Sequence, residues 1–450
     1  MPVTQDRDQD IIDAVHAALP QTLDDLRDMI SIASVSSQAQ HGEDVNRMAD
    51  TLVGLIKLLG WDDVRLIQAG GKPAVLAHWP APEGKPTVCL YSHYDVQPTG
   101  EVALWQTEPF VAVQRGERLY GRGTADDKGG LGLHLAALRA FDGKPPVGVT
   151  LLFEGEEEIG SPTLDALLAA HRDELEADAY LICDCGNWDV GQPAFTTSLR
   201  GVVDCVVEVR SLDHAIHSGE YGGVVPDALT ALCRLLATLH DERGNVAVKG
   251  LVSGRAAEQL DYPEERLRAE TGLLEGVQFI GDDSPVDRMW MKPSLSIIGL
   301  DTTPIALSSN VLIASARARI SLRIAPGDTQ ENARDRLFEH LRVNAPWGVQ
   351  VNCSNAEANN PSQLPFEGPI CEQAFSAYTR AWGVEPVLTG TGGSIGMIAS
   401  FQQAFPQATI LGTAVSDPHS RMHGIDESLH LGDWSKGAIA EALLLDRLAR

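Results

Sequence analysis

Six acids and two histidines stand at positions where they could hold metal ions and move protons. His93 and Asp95 lie in Ser92-His93-Tyr94-Asp95-Val96, and Asp126 and Asp127 lie in Gly121-Arg122-Gly123-Thr124-Ala125-Asp126-Asp127-Lys128-Gly129. Glu157 and Glu158 end the acidic run Glu154-Gly155-Glu156-Glu157-Glu158, Asp184 follows Leu181-Ile182-Cys183, and His423 falls in Asp417-Pro418-His419-Ser420-Arg421-Met422-His423. Imidazole and carboxylate together suit a metal site that keeps room for water, unlike the closed, cysteine-rich sites of structural zinc. If these acids meet, each like-charged pair near 4 Å costs roughly 4 kcal/mol at an effective dielectric of 20. Such a cluster raises its own pKa values or pushes its loops apart. Two divalent ions reverse the balance. Three ligating carboxylates against two dications leave about one net positive charge, which favours a bound hydroxide and a polarised carbonyl.

Each segment taken singly has a plainer reading. His93 and Asp95 could belong to an ordinary capped loop, although a two-residue spacing in extended chain turns both side chains the same way. A carboxylate beside a metal-binding imidazole can also fix its tautomer. Asp126 and Asp127 could cap the helix that follows, and four acids in five residues could be a solvated surface run. Convergence is what favours chemistry, and convergence is a matter of where the chain places them.

Three apolar runs lead into these residues: Thr87 to Ser92, Val147 to Phe153 and Ala179 to Cys183. They read as buried strands, and polar groups at the carboxyl ends of parallel strands are where open α/β sheets build sites. Apolar residues at Val45, Met48, Leu52, Leu55 and Leu59 predict a helix over 43–59, and Gly130 to Phe141 predicts another. Alternation of helix and strand to about Leu199 predicts an α/β domain with a mainly parallel sheet flanked by helices. After Gly201 the pattern changes to strands over 203–210, 316–324 and 349–353 with helices over 227–239 and 331–341, which predicts an inserted α+β unit of ferredoxin-like type. A helix over 370–381 and a buried run over 408–414 return the chain to the first domain, which still lacks its last ligand. The expected division is 1–200 with 363–450 as the catalytic domain, and 201–362 as the insertion.

With 450 residues, 44% of them hydrophobic, burial does not limit the fold. A formal charge of -27 disfavours nucleic acid and anionic membrane as partners. The first ten residues are polar and acidic, unlike a signal peptide. Seven cysteines, an odd number with no Cys-x-x-Cys pair, predict reduced thiols in a cytoplasmic setting. Cys183 and Cys185, which flank Asp184, are expected to be buried apolar residues rather than ligands. Neither Gly121-Arg122-Gly123 nor Gly390-Thr391-Gly392-Gly393 completes a dinucleotide fingerprint, because Asp126 and Ile395 stand at the third glycine position.

These segments closely resemble, over almost the whole chain, the zinc-dependent exopeptidase family of carnosinase-type dipeptidases, glutamate carboxypeptidase, aminoacylase and succinyl-diaminopimelate desuccinylase. The resemblance implies that His93 and Asp184 bind one metal, that Glu158 and His423 bind the other, and that Asp126 bridges the two. It implies that Asp95 orients His93, that Glu157 is the general base, and that the Asp126–Asp127 peptide is cis. Zinc is the family expectation, while manganese and cobalt accept the same ligands.

In the insertion, His217-Ser218-Gly219 resembles the segment whose histidine reaches the partner's active site in dimeric relatives, which implies a homodimer. Asn310 and Arg323 resemble lid positions that contact substrate, and a guanidinium fork suits a terminal carboxylate. The plainer reading of Arg323 is a sheet-surface residue like Arg317 or Arg319. Gly392-Gly393-Ser394-Ile395 resembles the turn that receives the substrate carboxylate, with Gly393 and Ser394 as contacts. Residues 356–360 lack the histidine of carnosinase-type enzymes, which argues against carnosine as substrate. The expected function is hydrolysis of a dipeptide or very short peptide, with N-acyl amino acid deacylation as the alternative and a metal-stabilised binding protein as a third reading.

Overall fold

The computed structural model describes residues 3–393 and 396–450, so the expected contact Ser394 lies outside the described residues. The chain divides into two compact units. Met1–Thr197, Leu364–Thr389 and Met397–Arg450 form the first, and Ser198–Gln363 with Gly390–Gly396 form the second.

The first unit is built on a mixed sheet in the order Val64–Ile67, Ala74–Trp79, Gly148–Glu154, Thr87–His93, Ala179–Gly186, Thr409–Ser416 and Ala194–Leu199. The four strands from Gly148–Glu154 to Thr409–Ser416 are parallel to one another, and those outside them pair antiparallel. Every residue of Gly148–Glu154 is buried. A continuous apolar strand of this kind needs cover on both faces, so the mainly parallel sheet expected from the apolar runs is present. The helices Val3–Ile30, Lys128–Arg139 and Leu431–Leu448 pack on one another, and Pro369–Trp382 packs on the last of them. Ion pairs from Arg7 to Asp446 and from Arg447 to Asp8 tie the first helix to the last. The helix Gly42–Leu58 buries Val45, Met48 and Leu52, as its spacing predicts, and Ile56, while the expected Leu55 and Leu59 are half-buried.

The second unit is an antiparallel sheet in the order Ser294–Asp301, Ser315–Ile324, Gly201–Arg210 and Gln350–Asn359, with Ala228–Ala237 and Gln330–Val343 packed on it. A helix follows the first and third strands in sequence, which gives the βαββαβ ferredoxin-like connection. In Ser315–Ile324, Ala316, Ala318, Ile320, Leu322 and Ile324 are buried on one face. Arg317, Arg319 and Arg323 therefore lie on the other.

Among the described residues no helix is long and apolar enough to cross a membrane. All seven cysteines are free, and Cys183 and Cys185 are buried.

Candidate metal centre

Parallel pairing puts the expected strand ends side by side. His93, the last residue of Thr87–His93, is in register with Glu154, the last of Gly148–Glu154. The third strand does not stop at Cys183 as expected. It runs on to Gly186 because Thr409–Ser416 continues beside it, and Ala414 there opposes both Asp184 and Cys185. That bulge bends the strand at the acid, the usual means of re-aiming a side chain beside a site. Asp126 comes from the loop before Lys128–Arg139, and the Asp126–Asp127 peptide is cis.

These elements bring five of the expected ligands together. His93 Nε2 lies 3.0 Å from Asp126 Oδ1 and 3.8 Å from Asp184 Oδ1. His423 Nε2 lies 2.9 Å from Asp126 Oδ2 and 3.2 Å from Glu158 Oε2. Two groups result, His93 with Asp126 and Asp184, and Asp126 with Glu158 and His423, each with ligand atoms within 4.8 Å of one another. Asp126 belongs to both groups and turns one oxygen to each. Imidazole and carboxylate donors in this number fit a pair of borderline or hard divalent cations.

Local backbone geometry fixes each donor. The Asp95 carboxylate accepts the backbone N–H groups of Glu157 and Glu158, at 3.2 and 3.1 Å. His93 Nδ1 is nearer the Asp95 carbonyl, at 3.0 Å, than its carboxylate, at 3.4 Å. Asp95 thus contacts His93 mainly through its main chain, while its side chain holds the glutamate turn. Gln97 steadies Glu158 by donating its backbone N–H to Oε1 at 3.0 Å and its amide to Oε2 at 2.7 Å. Gly155 leads into that turn because a Cβ there would lie 2.9 Å from the Pro73 carbonyl and would also strike Tyr94. Glu156 points away and accepts the backbone N–H groups of Lys72 and Thr163, each at 2.8 Å.

Burial penalises charge throughout this cluster. It pushes the Asp184 carboxyl up to about 6, and burial together with the charge on Asp184 pushes Glu157 well above the usual range. Burial also raises Asp127. Asp126 goes the other way: burial would raise it, but hydrogen bonds from His423 and His93 hold it well below the usual range. Hydrogen bonds to Asp126 and Glu158 raise His423 to about 10. Burial would lower His93, yet its contacts with Asp126, Asp184 and Asp95 hold it well above the usual value. Each imidazole and carboxylate here thus favours the charged form of its neighbour, and donors gathered in this way suit cations.

Glu427 and Arg122 carry no assigned role in the sequence, yet they secure the loop that carries Asp126. The buried Glu427 carboxylate accepts Gly123 N–H at 2.9 Å, Ala125 N–H at 2.8 Å and Asp126 N–H at 3.2 Å, and receives Arg122 Nη1 at 2.7 Å. Arg122 Nη2 also donates to the Gly424 carbonyl at 3.1 Å, beside His423, whose φ of 60 is left-handed. Their partnership spans 305 positions, which no local spacing reveals. Replacing Glu427 with alanine strands a buried guanidinium and three donors, and is expected to cost about 3–5 kcal/mol of stability in chemical denaturation. Glu427→Gln, which keeps acceptors, should cost clearly less; equal losses would mean that the pairing is not what holds the loop.

A third group, His134, Cys183 and Glu441, lies in the core. His134 Nδ1 meets Glu441 at 2.8 Å and Nε2 meets the Tyr91 carbonyl at 3.2 Å. With an acceptor at each nitrogen the ring keeps both protons, and burial pushes the Cys183 thiol up. This is a buried ion pair rather than a metal site.

In the second unit, His217 and Asn310 are neighbours. His217 pairs with Val311, and Ser218 N–H donates to the Asn310 carbonyl at 3.0 Å. Gly219 N–H donates to His217 Nδ1 at 3.0 Å, so the neutral ring carries its proton on Nε2. Both residues are exposed. Arg323 stands apart from them, in register with Val202 and Ser294. Gly393 is exposed, with its N–H on Thr391 Oγ1 at 3.2 Å, and its segment clusters with this unit.

The profile of Peptidase family M20/M25/M40 matches residues 89–447. The cysteinylglycine-S-conjugate dipeptidase of Corynebacterium striatum is 33% identical, over 94% of this chain and 94% of that protein. The Cys-Gly metallodipeptidase DUG1 of Candida albicans is 28% identical over 95% of each chain. Among solved structures, the di-peptidase Dug1p from Saccharomyces cerevisiae superposes with a TM-score of 0.83 over 98% of both chains at 24% identity, a likeness of fold. The strand-end ligand groups and these full-length similarities agree: the chain belongs to peptidase family M20/M25/M40 and is a metallopeptidase of its dipeptidase branch.

Proposed function

We propose that this chain hydrolyses the amide bond of dipeptides at a two-metal centre held by His93, Asp126, Glu158, Asp184 and His423, with Glu157 as general base. The observation that carries the reading is Asp126, whose two carboxylate oxygens are divided between two imidazoles 3.0 and 2.9 Å away. Bound there, a pair of divalent cations, zinc by family expectation, supplies the Lewis acidity that polarises a carbonyl and lowers the pKa of a water. Glu157 belongs to neither ligand group, and its raised pKa suits a group that takes a proton from the attacking water and returns it to the leaving amine. His217 of the partner subunit stabilises the developing oxyanion with a hydrogen bond from its Nε2–H. Asn310, Arg323 and the turn at Gly393 and Ser394 hold the substrate.

The homodimer is supported by exposed apolar side chains on the end strand of the second unit's sheet, Ile297, Ile298 and Leu300, and by Ile305 and Leu307 in the segment that follows. That unit then serves as lid and dimerisation domain. The free cysteines fit a reducing cytoplasm. The relatives are dipeptidases, so the N-acyl amino acid deacylase alternative is not retained.

The test is a panel of dipeptides, cysteinylglycine included, set against N-acetyl amino acids, on chelated protein with zinc, manganese or cobalt restored singly. Turnover of dipeptides that depends on added metal is the expected result. Activity confined to the acyl compounds would overturn the reading.

A further inference from the structure

Arg200 lies just before the strand Gly201–Arg210, only 9% exposed, and its contacts run toward the glycine turn. Its Nε donates to the Gly392 carbonyl at 3.3 Å, and its backbone N–H donates to the Thr391 carbonyl at 3.2 Å. Nη1 is anchored on the other side by the carbonyls of Arg288 and Lys292, each at 3.3 Å, and by Ser294 Oγ at 2.9 Å. The guanidinium also packs on the turn itself: a Cβ added to Gly392 would lie 2.6 Å from Arg200 Nη2. The Gly392–Gly393 peptide is therefore held at both ends, its carbonyl by Arg200 and its N–H by Thr391 Oγ1 at 3.2 Å.

The charge of Arg200 is as informative as its contacts. Among the described residues its hydrogen-bond partners are carbonyl and hydroxyl oxygens, with no carboxylate. Arg200 stands where the chain passes from Ala194–Leu199 to Gly201–Arg210, and the Ser294 hydroxyl that anchors it belongs to the residue in register with Arg323, which brings the two cations near each other. Burial, with Arg323 nearby, pulls the Arg200 pKa down to about 10. A buried guanidinium whose hydrogen-bond partners are neutral oxygens keeps its positive charge beside the turn, which favours an anion there.

We propose that Arg200 is a positioning residue for the substrate's terminal carboxylate, acting through the Gly392–Gly393 turn that it clamps. The inference rests on the reading of that turn as the carboxylate receptor. A side chain at Gly392 would meet both the guanidinium and, at 3.1 Å, the Met289 carbonyl.

The test compares wild type, Arg200→Gln, Arg200→Lys and Gly392→Ala on a dipeptide and on the same dipeptide as its C-terminal amide, with metal content and melting temperature recorded for each. Wild type should prefer the free carboxylate. Arg200→Gln should raise KM for the dipeptide about tenfold or more with kcat within about twofold, and leave the amide unaffected. Arg200→Lys should fall between. Gly392→Ala, which displaces the guanidinium without removing it, should repeat the pattern, and it keeps the test decisive if Arg200→Gln folds poorly. Equal losses on carboxylate and amide, or an unchanged KM in both Arg200→Gln and Gly392→Ala, would overturn the role of Arg200 alone. A wild type that treats carboxylate and amide alike would remove the turn as receptor, and the proposal with it.

Discussion

Glu157→Gln lowers dipeptide turnover by roughly 10²- to 10⁴-fold, the range a positioned general base contributes, while the protein still binds two metal ions. The substitution preserves size, and it leaves untouched the backbone N–H that Glu157 donates to Asp95. Neither ligand group includes Glu157, so the five donors remain. What is lost is a carboxylate able to accept a proton, since an amide oxygen cannot be protonated near neutral pH. Steady-state assays with metal content measured by mass spectrometry check both halves. Turnover at the wild-type rate would remove Glu157 from the reaction, and loss of metal would make it a ligand instead.

Asp126→Asn is expected to weaken both metals at once, by more than the 10- to 100-fold typical of losing an outer partner. Each oxygen of Asp126 serves a different group, and both imidazoles lose their shared anion. His423→Ala, by contrast, removes a donor from one group only. Competition with a chelating dye counts the sites: one metal still held tightly in Asp126→Asn would mean that Asp126 does not bridge. The sign of the pH effect follows from the same contacts. The bare protein keeps protons on His93, whose pKa is raised, and on His423, raised to about 10. Metal must displace them, so wild-type affinity should strengthen as pH rises from neutrality toward about 10. An affinity that fell over that range would contradict the arrangement.

Much of the first unit was legible because burial leaves a local trace. Apolar runs over 87–92 and 147–153 became the strands Thr87–His93 and Gly148–Glu154, and the helical spacing of Val45, Met48 and Leu52 became the buried face of Gly42–Leu58. What failed to show depends on distant partners. The strand at Asp184 is longer than its apolar run because a neighbour 230 positions away extends it. Likewise Gln350–Asn359 outlasts the run ending at Cys353, since its polar half pairs along Gly201–Arg210. The long helix Val3–Ile30 hid behind a polar, acidic start. The five ligands could be named through family resemblance, and the structure brings them together. Glu427 and Arg122 could not be, because a buried ion pair between distant segments has no spacing to read.

The loop that carries His423 and Glu427 has a consequence for how the enzyme comes into being. Glu427 secures Gly123 from 304 positions further along the chain. A growing chain therefore carries His93, Asp126, Glu158 and Asp184 with one donor and one fastening missing until the segment over 423–427 has been made. The peptide-cleaving centre is complete only once that segment is in place, and the nascent polypeptide stays inert until then.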